Sequence, residues 1–134
     1  MRTKIYQWLS KEFVAFSGEG KPNTTAGEEM KELLQRFDAT LGGMDLSLEN
    51  TVRTRLWARD KESRKLGSDE RIEVLSGKAR SSSSSFIAAP HFDSDTRVAL
   101  DLLAMRPSIG SKAVFLVPLY LLAYKIVGLG TSSG

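Results

Sequence analysis

Two charged residues stand where their side chains could do chemistry. Arg80 is followed by five serines at 81–85. Its guanidinium is always charged and planar, and can bind a carboxylate through two hydrogen bonds. Asp101 lies within the almost wholly apolar, alternating residues 96–105, where a carboxyl is conspicuous. Burial disfavours the charged form of a carboxyl, which suits it to exchange protons near neutral pH. The structural alternative is an ion pair, with Asp101 bound to Arg97 or to an arginine of the sheet.

The composition excludes several other chemistries. The 134 residues contain no cysteine, so disulfides, thiolate metal sites and cysteine nucleophiles are excluded. His91 is the single histidine, and we expect it in the turn that precedes the last strand rather than in a catalytic or metal site. We therefore expect no metal and no other cofactor.

The charge pattern indicates a solvated surface. The net charge is +3, and between residues 61 and 71 the basic side chains are interleaved with acidic ones, so neither a nucleic-acid groove nor a membrane contact is expected. The first residues lack the continuous apolar stretch of a signal peptide. The sequence therefore predicts a cytoplasmic protein.

The first half of the chain predicts two strands, a helix and a third strand. Aromatic and β-branched residues favour strands at 3–10 and 12–16, and the Gly- and Pro-containing residues 17–22 favour a loop. Thr25 and Glu28 form a capping box, and an apolar stripe at helical spacing continues to Gly42. Residues 51–58 alternate as a strand, with two faces: Val52, Thr54 and Leu56 on one, and Arg53, Arg55 and Trp57 on the other.

The second half predicts a weaker helix and two more strands. Residues 60–75 suit a helix, with a possible second start at Ser68, a thin apolar face from Ile72 and Leu75, and an end at Gly77. The serines at 81–85 suit either a linker or a strand with small side chains, and the strand is preferred. Residues 96–105 are apolar on both faces, which predicts a fully buried strand.

The chain is predicted to consist of a domain at 1–110 and an apolar C-terminal extension at 111–134. Pro118 and Lys125 interrupt it, which argues against a membrane helix and favours a strand pair or an interface-packing tail; a lipid contact and disorder are the alternatives. Residues 120–127 are weakly similar in sequence to residues 6–13, so the extension could also be the beginning of a truncated second repeat.

The order of elements resembles the Rid family (reactive intermediate deaminases, also called YjgF proteins), and four motifs occur in the family's order. They are Phe16-Ser17-Gly18, residues 52–60 (VRTRLWARD, against a typical V-K-T-T-V-F-L-x-D), Ala79-Arg80-Ser81, and residues 98–104 (VALDLLA, against V-E-I-E-A-x-A). The chain departs from the family with Lys78 in place of Pro and Asp101 in place of Glu. The family's active-site Asn falls near Ser68.

The resemblance implies an α+β fold, with a mostly antiparallel sheet and two helices on one face, assembled as a homotrimer with a cleft at each subunit interface. It implies that Arg80 binds a substrate carboxylate and that Asp101 is the acid–base or water-positioning group. Ser17 and Gly18 would hydrogen-bond the ligand, Ser68 would stand at the Asn position, and Tyr6 would lie over the ligand unless it is a core aromatic.

Three functions remain open at this stage. The first is hydrolysis of a carboxylate-bearing enamine or imine to a 2-oxo acid and ammonia. The second is an isomerase or cyclase of a specialised pathway acting on a larger imine or enol, because Asp101 is one methylene shorter than Glu and the tail is apolar. The third is a trimer that binds a 2-oxo acid without turnover. A ribonuclease is least favoured, since the chain has no histidine pair.

Overall fold

The computed structural model describes residues 1–22, 25–88 and 95–107. Five strands form one sheet, and two helices pack on one of its faces. The strands are β1 (Arg2–Trp8), β2 (Lys11–Glu19), β3 (Thr51–Ala58), β4 (Ser82–Ile87) and β5 (Val98–Met105), and the helices are α1 (Ala26–Gly42) and α2 (Lys61–Val74). Short 3-10 turns occur at Leu48–Asn50 and Gly77–Ala79. The α+β architecture with two helices on one face is therefore confirmed.

The sheet order is β1-β2-β5-β3-β4, and only the β3–β4 pair is parallel. The central strand β5 places Asp101 opposite Ser17 of β2 and opposite Arg55 of β3. Arg55 in turn lies opposite Ser84. Because opposed residues in neighbouring strands point to the same face, the register aligns these polar side chains in one row across the sheet.

The core lies between the helices and the sheet. The apolar stripe of α1 is fully buried, and the ring of Phe37 stacks on Phe16 with 5.3 Å between centroids. Gly67 of α2 lies so close to the sheet that a Cβ there would be 3.0 Å from Cδ1 of Leu56. A glycine at this position lets the second helix reach the core.

Three sequence predictions are wrong in detail. Ser17 and Gly18 belong to β2, which continues to Glu19 because β5 supplies hydrogen-bonding partners that far. The outward face of β5 is only partly buried, since no described helix covers that side. Ile72 is not part of an apolar face: it is 63% exposed, and Arg71 points inward beside it.

Other predictions agree with the structure. β3 has the expected bounds, the serine run forms a strand, and Thr25 caps α1. The second helix begins close to its predicted start, after a cap at Asp60 that the sequence analysis did not assign. The possible second start at Ser68 is wrong, because the helix α2 is continuous through that residue. His91 and the extension at 111–134 lie outside the described residues. No helix within the described ranges has both the length and the apolar character needed to span a membrane.

The cap at Asp60 makes a testable contribution to stability. Its side chain accepts a hydrogen bond of 2.8 Å from the backbone N–H of Ser63, and this bond lowers the pKa of Asp60 below its usual 3.8. We expect Asp60→Ala to lower the free energy of unfolding by about 0.5–2 kcal/mol at neutral pH. Because the folded-state pKa is depressed, this contribution is present above the unfolded pKa and is lost as the pH falls through the folded pKa.

Urea unfolding of the wild type and of Asp60→Ala, followed from about pH 7 down to about pH 2, measures this difference. Asp60→Asn is the control, since an amide still caps the helix but does not titrate. A difference between wild type and Asp60→Ala that stays constant over the whole pH range would contradict the assignment.

Candidate functional site

Asp101 lies on the face of the sheet opposite the helices and is held by two donors. Its Oδ2 accepts a hydrogen bond of 3.1 Å from Nε1 of Trp57 and lies 3.2 Å from Nη2 of Arg55. The side chain is 30% exposed rather than buried. Its partner is an arginine of the sheet and not Arg97, whose guanidinium lies 3.3 Å from the buried carboxylate of Glu29. Among the described residues, Oδ1 of Asp101 has no partner and can bind water or a ligand.

Two adjoining hollows open beside Asp101. One, of about 570 Å³, is lined by Ser17, Gly18 and Asp101, and the other, of about 550 Å³, is lined by Tyr6, Ser17 and Asp101. The ring of Tyr6 also stacks on Phe13, with 5.6 Å between centroids, so it belongs both to the aromatic packing and to the wall of the hollow. The structure thus brings Asp101, Ser17 and Tyr6 to one face, whereas Gly18 borders the first hollow from the other face of β2, where a Cβ would meet Leu33 and Phe37 of α1.

The same hollows are lined by cations that the sequence reasoning did not combine. Arg2 and Lys4 of β1 face the hollow together with Arg53 and Arg55 of β3. Such clustered positive charge attracts anions. Arg55 forms an ion pair within the chain, with Asp101. The alternation of residues 2, 4 and 6 could have placed Arg2 and Lys4 on the face of Tyr6, but not beside Asp101.

Arg80 lies elsewhere in the chain. It follows the 3-10 turn Gly77–Ala79 and lines a crevice of about 520 Å³ between the end of α2 and β4. Ser83, in the same crevice, is opposite Thr54, whose side chain faces the helices. The crevice therefore opens on the helix side of the sheet, whereas Asp101 is on the other side. Neither hollow beside Asp101 is lined by Arg80.

Ser68, the remaining candidate, is half-buried on α2 and lines none of these three hollows. Ser68 was a candidate only because the family's active-site Asn falls near this position. In the structure it lies inside the continuous helix α2. The structure thus separates the six candidates into one group around Asp101, Arg80 in its own crevice, and Ser68.

Arg71 is a charged residue that the sequence reasoning missed. It is 3% exposed, and its guanidinium donates to the carbonyl oxygen of Ser84 and to Oγ of Ser85, both at 2.8 Å, and weakly to Oγ1 of Thr54 at 3.4 Å. Burial lowers the pKa of Arg71. The signal that could have found it is the serine run itself, because small hydroxyl side chains leave room and acceptors for a large cation.

The indole of Trp57 positions Asp101, and this contact can be tested. The Trp57 ring stacks on Phe86 with 4.7 Å between centroids while its N–H binds Asp101. Trp57→Phe keeps an aromatic ring but removes the donor, so we expect it to lower the free energy of unfolding by about 0.5–1.5 kcal/mol. Urea unfolding measures this change. Trp8→Phe, at the exposed edge strand, is the control and is expected to change stability by less than about 0.5 kcal/mol.

The described residues thus form an α+β protein whose candidate site lies on a sheet face that no described helix covers. The sequence matches no protein-family model and no curated protein. Solved structures share the fold, however. A member of the YjgF/YER057c/UK114 family from Mycobacterium tuberculosis is 20% identical with a TM-score of 0.61, over 69% of this chain and 77% of that one.

Two further structures are similar. A YjgF-family protein from Neisseria meningitidis is 15% identical with a TM-score of 0.63, over 72% of this chain and 81% of that one. The Escherichia coli protein TdcF with bound serine is 13% identical with a TM-score of 0.63, over 75% of this chain and 84% of that one. The chain has the fold of the YjgF proteins, which is the fold that its four sequence motifs implied.

Proposed function

We propose that the protein is a divergent Rid-family hydrolase that deaminates a small carboxylate-bearing enamine or imine at a site between neighbouring chains of a homotrimer. The observation that carries the proposal is the pair of adjoining hollows beside Asp101, one lined also by Ser17 and Gly18 and the other by Ser17 and Tyr6. The fold supports it, as does TdcF, whose bound serine is an amino acid with a carboxylate.

The proposed site needs two chains, because the crevice lined by Arg80 and the hollows lined by Asp101 lie on opposite sides of one sheet. The two edge strands are β1 and β4, and exposed apolar side chains lie on both: Ile5 and Trp8 on β1, and Phe86 and Ile87 on β4. Exposed edges of this kind invite contact with another chain. In a closed ring, the β4 edge of each chain would meet the β1–β2 side of the next. That contact would carry Arg80 towards the hollow of Asp101.

The proposed reaction uses the contacts at Asp101. Arg80 holds the substrate carboxylate, and a proton from solvent adds to the enamine carbon to give an iminium. Oδ2 of Asp101 is held by Arg55 and Trp57, so Oδ1 is left to orient a water molecule and accept its proton as the oxygen bonds to the iminium carbon. That proton passes from Asp101 to nitrogen, the new hydroxyl releases its own proton to solvent as the C–N bond breaks, and ammonia and a 2-oxo acid leave.

The test is hydrolysis of freshly generated 2-aminoacrylate, followed as ammonia or pyruvate. We expect acceleration over buffer and a loss of roughly 10- to 150-fold in Arg80→Ala, the equivalent of one charge-assisted hydrogen bond. Arg64→Ala, which removes an exposed arginine of α2, is the matched control and should keep wild-type activity. No acceleration over buffer, with Arg80→Ala identical to wild type, would reject the proposal.

A second candidate is a trimer that binds a 2-oxo acid without turnover. The ion pair between Asp101 and Arg55 favours it, because a carboxylate tied on one oxygen and one methylene shorter than Glu has less freedom to move protons. Arg80-dependent binding of pyruvate with no product from any enamine would support this candidate over the hydrolase.

A third candidate is an isomerase or cyclase acting on a larger imine or enol. It is favoured by the size of the hollows beside Asp101, about 550 and 570 Å³, which falls in the range of sites for ligands larger than a three-carbon acid. A bulky imine that competes with 2-aminoacrylate and is converted without release of ammonia would distinguish it.

A further inference from the structure

The crevice beside Arg80 contains a second cation and no acid. It lies between the last turn of α2 and strand β4, and its walls carry Arg71 and Arg80 together with the hydroxyls of Ser76, Ser81 and Ser83. No Asp or Glu is among the described residues that line it. Arg71 and Arg80 thus line one crevice, and no carboxylate is among the described residues of its wall.

The charge of Arg71 is not compensated by any described acidic residue. A guanidinium has five N–H donors, and three bonds are made, all to neutral acceptors of Thr54, Ser84 and Ser85. Its Nε has no partner among the described residues, and neither does the buried hydroxyl of Ser81 in the same wall. A buried charge without a counter-ion is costly, so the arrangement is incomplete as it stands.

A structural role explains only part of this arrangement. Arg71 ties α2 to β4 through the carbonyl oxygen of Ser84 and the hydroxyl of Ser85. A neutral donor could make such bonds without the cost of burying a charge. The carbonyl end of α2 lies nearby, because Arg71 is in its last turn, and it offsets a fraction of one positive charge. The full positive charge of Arg71 still exceeds that fraction.

We propose that the crevice between α2 and β4 binds a dianion, an organic acid with a second carboxylate or a phosphate. Arg80 contacts the ligand directly. Arg71 supplies a fixed second charge from the wall, with the unpaired hydroxyl of Ser81 beside it. The inference rests on the proposed function in one respect, the assignment of a ligand carboxylate to Arg80. It predicts that this site prefers doubly charged acids to monocarboxylates.

The test compares the binding of acetate, malonate and phosphoglycolate by calorimetry at constant ionic strength. We expect malonate or phosphoglycolate to bind the wild type at least roughly tenfold more tightly than acetate. Arg71→Met should abolish this preference while acetate affinity changes by less than about threefold. Arg80→Met should weaken all three ligands, and Arg64→Met, an exposed arginine of the same helix, should change none. Malonate and phosphoglycolate distinguish the dicarboxylate from the phosphate.

Ser81→Asp keeps the proposal testable if Arg71→Met fails to fold. A carboxylate at this buried position becomes an internal counter-ion, so we expect a higher melting temperature together with loss of malonate binding. Equal affinities of wild type for acetate and the dianions, or a preference that persists in Arg71→Met, would overturn the inference. Because 2-aminoacrylate carries one carboxylate, its hydrolysis is measured separately, and the hydrolase proposal can stand when this inference fails.

Discussion

Two inactive variants, Arg80→Met and Asp101→Asn, are expected to regain hydrolytic activity when their chains are mixed within one oligomer. Arg80→Met alone should lose roughly 10- to 150-fold, because it lacks the carboxylate-binding cation. Asp101→Asn alone should lose on the order of 10²-fold or more, because it lacks the water-positioning carboxylate. If every site combines Arg80 of one chain with Asp101 of the next, a random one-to-one mixture leaves about a quarter of the sites intact. The mixture should therefore show about a quarter of the wild-type rate.

The physical basis is the geometry of a single chain. Arg80 lines the crevice on the helix side of the sheet, and Asp101 faces the hollows on the other side. The experiment requires chain exchange, by co-expression or by joint unfolding and refolding, with mass spectrometry to verify mixed oligomers. The control is Arg80→Met mixed with the double variant Arg80→Met/Asp101→Asn, which contains no Arg80 and should stay inactive.

Absence of complementation would contradict the shared site. If mixed oligomers are no more active than either parent, then either Arg80 and Asp101 act in the same site of one chain, or one of them takes no part in the reaction. Since no hollow described beside Asp101 contains Arg80, that result would remove Arg80 or Asp101 from the proposed reaction, and binding of pyruvate by the two variants would show which.

The parts of the fold that the sequence predicted correctly depend on local physics. The helix α1 begins at a Thr25 cap and carries a continuous apolar stripe, and both signals act within a few residues. The strand β3 alternates strictly, so its bounds and its two faces follow from side-chain direction alone. The four family motifs added the order of the elements, which the solved YjgF structures share.

The parts that could not be predicted depend on contacts between distant segments. Gly18 signals a loop locally, but the partner strand β5 holds it in β2. Arg97 is adjacent to the strand of Asp101, yet Arg97 binds the buried Glu29 of α1. The β3–β5 register places Arg55 opposite Asp101, so Asp101 pairs with Arg55 instead. Arg80 precedes the edge strand β4, which β3 separates from the strand of Asp101, and no local pattern encodes that strand order.

The largest expected effect on stability is at Phe37. Its ring is fully buried between α1 and the sheet and stacks on Phe16 at 5.3 Å. Phe37→Ala removes that stack and leaves a cavity, so we expect it to lower the free energy of unfolding by about 3–5 kcal/mol. For a domain whose total stability is about 5–15 kcal/mol, this is enough to unfold a large share of the molecules in mild urea.

Urea unfolding at constant m-value measures the change, and two variants serve as controls. Phe37→Leu fills part of the space and should lose less than Phe37→Ala. Ile72→Ala removes an apolar side chain of similar size from α2, but that side chain is 63% exposed, so a change within about 0.5 kcal/mol is expected. If Phe37→Ala and Ile72→Ala cost the same, the stripe of α1 does not face the sheet. The placement of both candidate sites on either side of that sheet would then have to be given up.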